Sequence, residues 1–192
     1  RIFCSNKKDP LILKGYLMKK EDWFELDSLP FDSPFKEWDF NFSRKKNQFF
    51  FTSNRPLNVN DREEQKESKI WVIEYKNSEW SEPILLKKPI NKQDSFSGYP
   101  SISNKGTMYF HSNRKNGFGL TDIYFAESQN ERFSKVKNAG NIINSDYEEL
   151  DPNISPDESY LIFMSTRPSS YFSDGDMYVS FRDKNGQWSK SI

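Results

Sequence analysis

The sequence predicts an all-β chain, a β-propeller built of four-stranded antiparallel blades. Three observations carry that prediction: an internal repeat, short apolar runs set between turn residues, and an abundance of aromatics. Only 34% of the 192 residues are hydrophobic and the mean hydropathy is −0.90, a balance that leans toward disorder. The 17 Phe, 9 Tyr and 5 Trp reverse that lean, because each buried ring removes a large area from water. No segment sustains a 3.6-residue apolar period, so helices are not expected.

The first element of the repeat is an apolar-Ser step, at Phe42-Ser43, Ile102-Ser103 and Ile154-Ser155. A turn follows, then an apolar strand ending at Phe51, Phe110 or Phe163, and then Arg55, Arg114 or Arg167. These arginines stand 59 and 53 residues apart. A variable loop leads to the third strand, in "KIWVIEY" (69–75), "DIYFAES" (122–128) and "DMYVSFR" (176–182). Tight turns at 76–78, 129–131 and 184–186 come next, the last with the Asn-Gly pair that supplies two residues of positive φ in a short hairpin. The fourth strand opens on an aromatic-Ser step at Trp80-Ser81, Phe133-Ser134 and Trp188-Ser189. A partial copy at the N-terminus places "LILKGYLM" before Trp23.

The units expected are therefore a partial blade over 1–36, holding its last two strands, and full blades over 37–90, 91–143 and 144–192. Three and a half blades fall short of the four to eight that close a ring, so a piece of a larger ring is expected. A β-sandwich is the competing all-β arrangement, but nothing in it demands near-identical four-strand units.

These motifs resemble the TolB-like, WD-repeat-like β-propeller repeat of bacterial envelope proteins. "DPNISPDESYLIFMSTRP" with "DGDMYV" and "QWSK" is the nearest copy, and "YPSISNKGTMYFHSNR" with "TDIYF" follows it. The resemblance spans about residues 37–192. Departures are Glu158 and Lys46 in place of the turn glycine, and Lys69 where the other units hold Asp122 and Asp176. The first unit also carries a charged insert, "NVNDREEQKES" (58–68). The resemblance implies a periplasmic, outer-membrane-associated or extracellular bacterial protein that binds a partner across one face.

Composition narrows the function. With 28 basic and 28 acidic residues, no net charge draws the chain to nucleic acid or an anionic membrane. No apolar run reaches the ~20 residues of a membrane helix. Cys4 is the single cysteine, which excludes an internal disulfide or a thiolate zinc cluster. "FCSNKKDP" allows Cys4 to be the lipidated residue of a lipoprotein, although Phe3 stands where such a cleavage site wants a small side chain. No cofactor or metal site is expected: one histidine cannot build a transition-metal site, and "SDGD" (173–176) is too short for an EF-hand calcium loop.

Candidate sites follow from roles. Ser155 as a nucleophile needs a base, and the only histidine, His111, occupies the position of Thr52 and Met164 in the other units. Ser155 and Asp157 are therefore expected to shape their own turn. Arg114 with Asp122 and Arg167 with Asp176 are expected to pair across each hairpin mouth. Ser43, Arg55, Trp80, Ser103, Phe133 and Trp188 complete the structural motif.

The connectors "NKQDSFSGYP" (91–100) and "NSDYEELDP" (144–152) are the best binding candidates. They offer Asp94, Tyr99, Asp146, Tyr147, Glu148, Glu149 and Asp151, with Glu37 and Asp39 from the first unit. Acids that recur in every unit fit a binding ring better than catalysis, which needs one asymmetric constellation. The function expected is a non-enzymatic scaffold engaging a protein or glycan. Alternatives are a carbohydrate-active enzyme using connector carboxylates, and the regulatory propeller of a peptidase.

Overall fold

A computed structural model describes the backbone of strands 2–5, 13–19 and 22–25, and in full residues 33–43, 47–58, 62–77, 79–129, 132–168 and 175–192. Every regular element described is a β-strand, and every pairing between strands is antiparallel. The first sheet joins β1 (Ile2–Ser5), β2 (Leu13–Lys19) and β3 (Asp22–Glu25). The second joins β4 (Glu37–Ser43), β5 (Gln48–Ser53) and β6 (Lys69–Lys76), and β6 also pairs with the short β7 (Glu79–Trp80) and β8 (Ile84–Leu85). The third contains β9 (Gly98–Ile102), β10 (Met108–Ser112) and β11 (Asp122–Ala126). After a separate two-stranded hairpin of β12 (Ser128–Gln129) and β13 (Arg132–Phe133), β14 (Lys137–Asn138) pairs back onto β11 as the fourth strand of that sheet. The fourth holds β15 (Glu149–Ile154), β16 (Tyr160–Ser165) and β17 (Asp176–Phe181). No helix among the described residues is long and apolar enough to cross a membrane. Cys4 lies in β1, where only the backbone is described.

Alternation along the strands decides how the last three sheets stack. Phe50, Ile70 and Val72 of the second sheet face Met108, Phe110 and Tyr124 of the third in one core. From the other face of the third sheet, Tyr109 and Ile123 meet Leu161 and Phe163 of the fourth. Phe49, Phe51, Trp71 and Ile73 form a further core on the outer face of the second sheet. Burying each large side chain is worth roughly 1.5–3 kcal/mol, so these layers dominate the stability.

The aromatic-Ser step has a physical reason. Ser81, Ser134 and Ser189 each donate their N–H to the third strand, at the carbonyls of Glu74, Glu127 and Phe181. Each hydroxyl then accepts the N–H of that same residue, at 3.0, 3.2 and 3.0 Å. The hydroxyl replaces a backbone carbonyl, so the chain leaves the ladder satisfied and rejoins it a few residues later. It rejoins at β8, at β14, and at Ile192, which exchanges both backbone bonds with Val179.

Two expectations need correction. The Asn185-Gly186 turn places only Gly186 at positive φ (80°), because Asp183 closes a longer loop through its bonds to Gln187 and Gly186. The arginines do not pair with the aspartates across the hairpin mouths. Asp122 caps its own loop, accepting from Phe118 N, Gly119 N and Asn138 Nδ2 at 2.7, 3.1 and 2.9 Å. Arg55 donates to Glu37 at 2.6 Å and Arg167 to Glu149 at 3.0 Å, acids of the first strand rather than the third. Ser97 stands at the matching place in the middle unit, where Arg114 reaches it at 3.3 Å and Ile90 O at 2.7 Å. All three guanidiniums also lie over an aromatic pair: Phe51 and Trp71, Phe110 and Tyr124, Phe163 and Tyr178. In the first unit Lys69, in place of the aspartate, instead holds the carbonyls of Lys92, Gln93 and Ser95.

Ser155 and Asp157 shape the turn between β15 and β16. Asp157 accepts from Ser155 Oγ and from Ser159 N and Oγ, bonds that hold its carboxyl down at about 2. Glu158 takes the positive φ (65°) of the missing glycine, as Gly106 does at 90°. In the first unit Asn47 carries it (50°), and Lys46 lies outside the described residues.

Candidate functional site

Each first strand is interrupted by a β-bulge at the same step, between Trp38 and Asn41, opposite Tyr109–His111, and between Leu150 and Asn153. At each bulge a non-glycine residue adopts positive φ: Asp39 at 58°, Tyr99 at 55° and Asp151 at 50°. Such conformations cost on the order of 1–3 kcal/mol each and persist where their surroundings hold them. The bulge re-aims the side chain, and all three residues line one cavity of about 250 Å³ with Asn41, Ser101 and Asn153.

Bonds between sheets build this convergence. The amide of Asn41 accepts from Ile102 N at 3.1 Å, and the hydroxyl of Ser101 accepts from Ile154 N at 3.0 Å. The bulge N–H groups are met by the second strand of the preceding unit. Thr52 Oγ1 accepts from Tyr99 N at 2.9 Å, and His111 Nδ1 accepts from Asp151 N at 3.1 Å. His111 is thus the counterpart of Thr52 in function as well as position. Its ring lies against Tyr99 and Phe96, with centroids 4.4 and 5.0 Å apart. Burial drives its pKa down to about 3, so the imidazole is neutral, protonated on Nε2. Its Nδ1 lies 3.8 Å from the Asp151 carboxylate, but a neutral ring already accepting at Nδ1 makes no ion pair there.

Electrostatics set the pocket apart. Burial pushes the Asp39 carboxyl up to about 8, and the Asp151 charge adds to that. Burial also raises Asp151, and Tyr99 is pushed up to about 12 by burial and by both aspartates. Asp39 Oδ2 is shielded from solvent without a hydrogen-bond partner among the described residues. At neutral pH the site therefore presents a protonated carboxyl as a donor, a second carboxyl, a phenol and two amides. No three His, Cys, Asp or Glu side chains among the described residues are grouped to hold a metal ion.

The connector residues divide. Tyr99 and Asp151 join Asp39 in the cavity; Asp94, Asp146 and Tyr147 are exposed and lie outside its lining. The 145–148 segment is docked onto the preceding loop, and Gly119 permits it: a Cβ there would stand 1.6 Å from Tyr147 O. Glu148 is half-buried, its backbone exchanging bonds with Thr166. Glu149 cannot serve a partner. It is wholly buried, accepting from Ser145 N and Oγ, Ser165 Oγ and Arg167. Glu37 is likewise held by Arg55 and Ser33.

Two structural asparagines were not anticipated. Asn91 and Asn144 each bridge a third strand, bonding both N–H and C=O of Ile70 and Ile123. The Ile-Asn step at 90–91 and 143–144, at the repeat spacing of the arginines, is the sequence signal for them.

No family model matches the chain, and no curated protein matches it. Among solved structures, it is similar to that of a Mycobacterium tuberculosis puromycin-hydrolyzing peptidase, at 14% identity and a TM-score of 0.53. The likeness covers 97% of this chain and 28% of that one, and is one of fold.

Proposed function

We propose that the chain forms part of a TolB-like β-propeller of the bacterial cell envelope, a non-enzymatic scaffold that takes a protein or glycan partner where its first strands converge. The convergence of Asp39, Tyr99 and Asp151 on one cavity carries this reading. Three sequence-distant residues held in costly conformations at matching bulges, and aimed into one cavity, support a binding position. Tyr99 offers an aromatic face, while Asn41, Asn153 and the two carboxyls offer the mixed donors and acceptors that hydroxyl-rich or peptide ligands need. Exposed Asp94, Asp146 and Tyr147 extend the contact along the connectors.

Screening envelope oligosaccharides and a peptide panel tests this, with Asp39→Asn, Tyr99→Ala and Asp151→Asn beside the native chain. A binder whose affinity falls at least tenfold in each variant is expected. Binders indifferent to all three substitutions contradict it.

A second reading has one observation in its favour. Asp39 and Asp151 line the same cavity, and a pair of carboxyl groups is what a glycosidase uses. Oligosaccharide turnover that vanishes in Asp39→Asn would replace the scaffold with that enzyme.

A further inference from the structure

The two clefts between neighbouring sheets share one kind of wall, and Arg182 reaches across one of them. Between the third and fourth sheets, Thr107, Tyr109, Phe125 and Glu127 form one wall. Arg182 crosses that space from the fourth sheet. It donates to Tyr109 Oη and Glu158 Oε2, both at 2.7 Å, and its guanidinium stacks 4.3 Å over Trp188. Between the second and third sheets the same wall recurs as Gln48, Phe50, Val72 and Glu74. By register the counterpart of Arg182 in the preceding unit is Ser128, since each pairs with the aromatic of its own hairpin, Ser128 with Phe133 and Arg182 with Trp188. Ser128 is not part of this cleft's lining. This cleft is a cavity of about 560 Å³, against about 360 Å³ in the one Arg182 crosses, and is the size of a small-molecule site.

Its lining is two-sided. Phe50, Val72, Ile84, Leu86 and Phe133 make an apolar floor, and Lys87, Lys88 and Arg132 stand at the rim, exposed and without an ion-pair partner among the described residues. The one acid in the lining, Glu74, is already engaged by Gln48 Nε2 at 2.6 Å and by Lys76.

We propose that this cleft binds a small amphiphilic anion, its apolar body on Phe50, Val72 and Phe133 and its carboxylate or sulfonate at Lys87, Lys88 and Arg132. The rim supplies the cation that Arg182 supplies in the other cleft, without an ion-pair partner among the described residues. A neutral apolar ligand would fill the floor and leave that rim unused, so charge is what selects the occupant.

Methyl-resolved NMR titration with octanoate, against 1-octanol as the uncharged comparator, tests the assignment. Octanoate is expected to shift the Val72, Ile84 and Leu86 methyls saturably at one equivalent, at least tenfold more tightly than octanol. The triple variant Lys87→Gln, Lys88→Gln, Arg132→Gln changes only exposed side chains. It is expected to keep the native spectrum and bind the two ligands equally. Absence of saturable shifts, equal affinities in the native chain, or shifts confined to Ile162 and Val179 of the last sheet would overturn the proposal.

Discussion

His111 shows how far a residue's meaning depends on the position it copies. A lone histidine near serines and acids invites a catalytic reading, yet here it accepts one backbone hydrogen bond in the place of a threonine. Its pKa, depressed to about 3 from an ordinary 6.5, contributes stability that is present above pH 6.5 and lost as pH falls toward 3. Replacing it with the first unit's own residue, His111→Thr, keeps an acceptor and removes that titration. Thermal melts from pH 6.5 to 4 are expected to fall less steeply in the variant than in the native chain. Asp39 acts in the opposite sense. Its raised pKa gives stability that is full below about pH 4 and lost as pH rises through about 8. Asp39→Asn is expected to flatten the melting temperature between pH 5 and 8, and an unchanged slope there would contradict an elevated pKa. The sequence names both residues but not these roles. Nothing in the pattern tells a reader that Asp39 and Asp151 sit on bulges, because a bulge is set by pairing with a distant strand.

Strands and turns were far more legible. The apolar runs, the aromatic-Ser steps and the turn at Ser155 and Asp157 are local features, and local chemistry places them. Partners of the long cations were not legible, because an arginine reaches whichever acid the sheet brings near. Alternation put Glu37 and Glu149 beside Arg55 and Arg167, and left Asp122 and Asp176 elsewhere. This makes the pairs unequal to surface ion pairs. Glu149 is fully buried, so Glu149→Ala, which strands Arg167 beside the core, is expected to cost roughly 3–5 kcal/mol in denaturant melts. Ser134→Ala removes one acceptor for Glu127 N at an exposed strand end, where about 0.5–1.5 kcal/mol is expected. Equal costs for the two would mean that burial does not govern the pairs.

Across the molecule, the repeat exposes an incomplete layer. Ile70 and Ile123 occupy one position in the second and third sheets and are both fully buried by the next sheet. Met177 holds that position in the fourth sheet and is 64% exposed, on a face shared with Ile162, Val179, Tyr160 and Phe181. An apolar sheet face of that kind favours association. The 192-residue chain is expected to self-associate in light scattering, and Ile162→Lys with Val179→Glu to reduce it; a chain that stays monomeric at high concentration would contradict this. The central claim is that separate units deliver Asp39, Tyr99 and Asp151 to one point. Carboxyl ¹³C NMR titration of Asp39 tests it most directly, in the native chain and in Asp151→Asn. Convergence predicts a midpoint near 8 that moves down when the second carboxylate is removed. A midpoint near the ordinary 3.8, indifferent to residue 151, would contradict it.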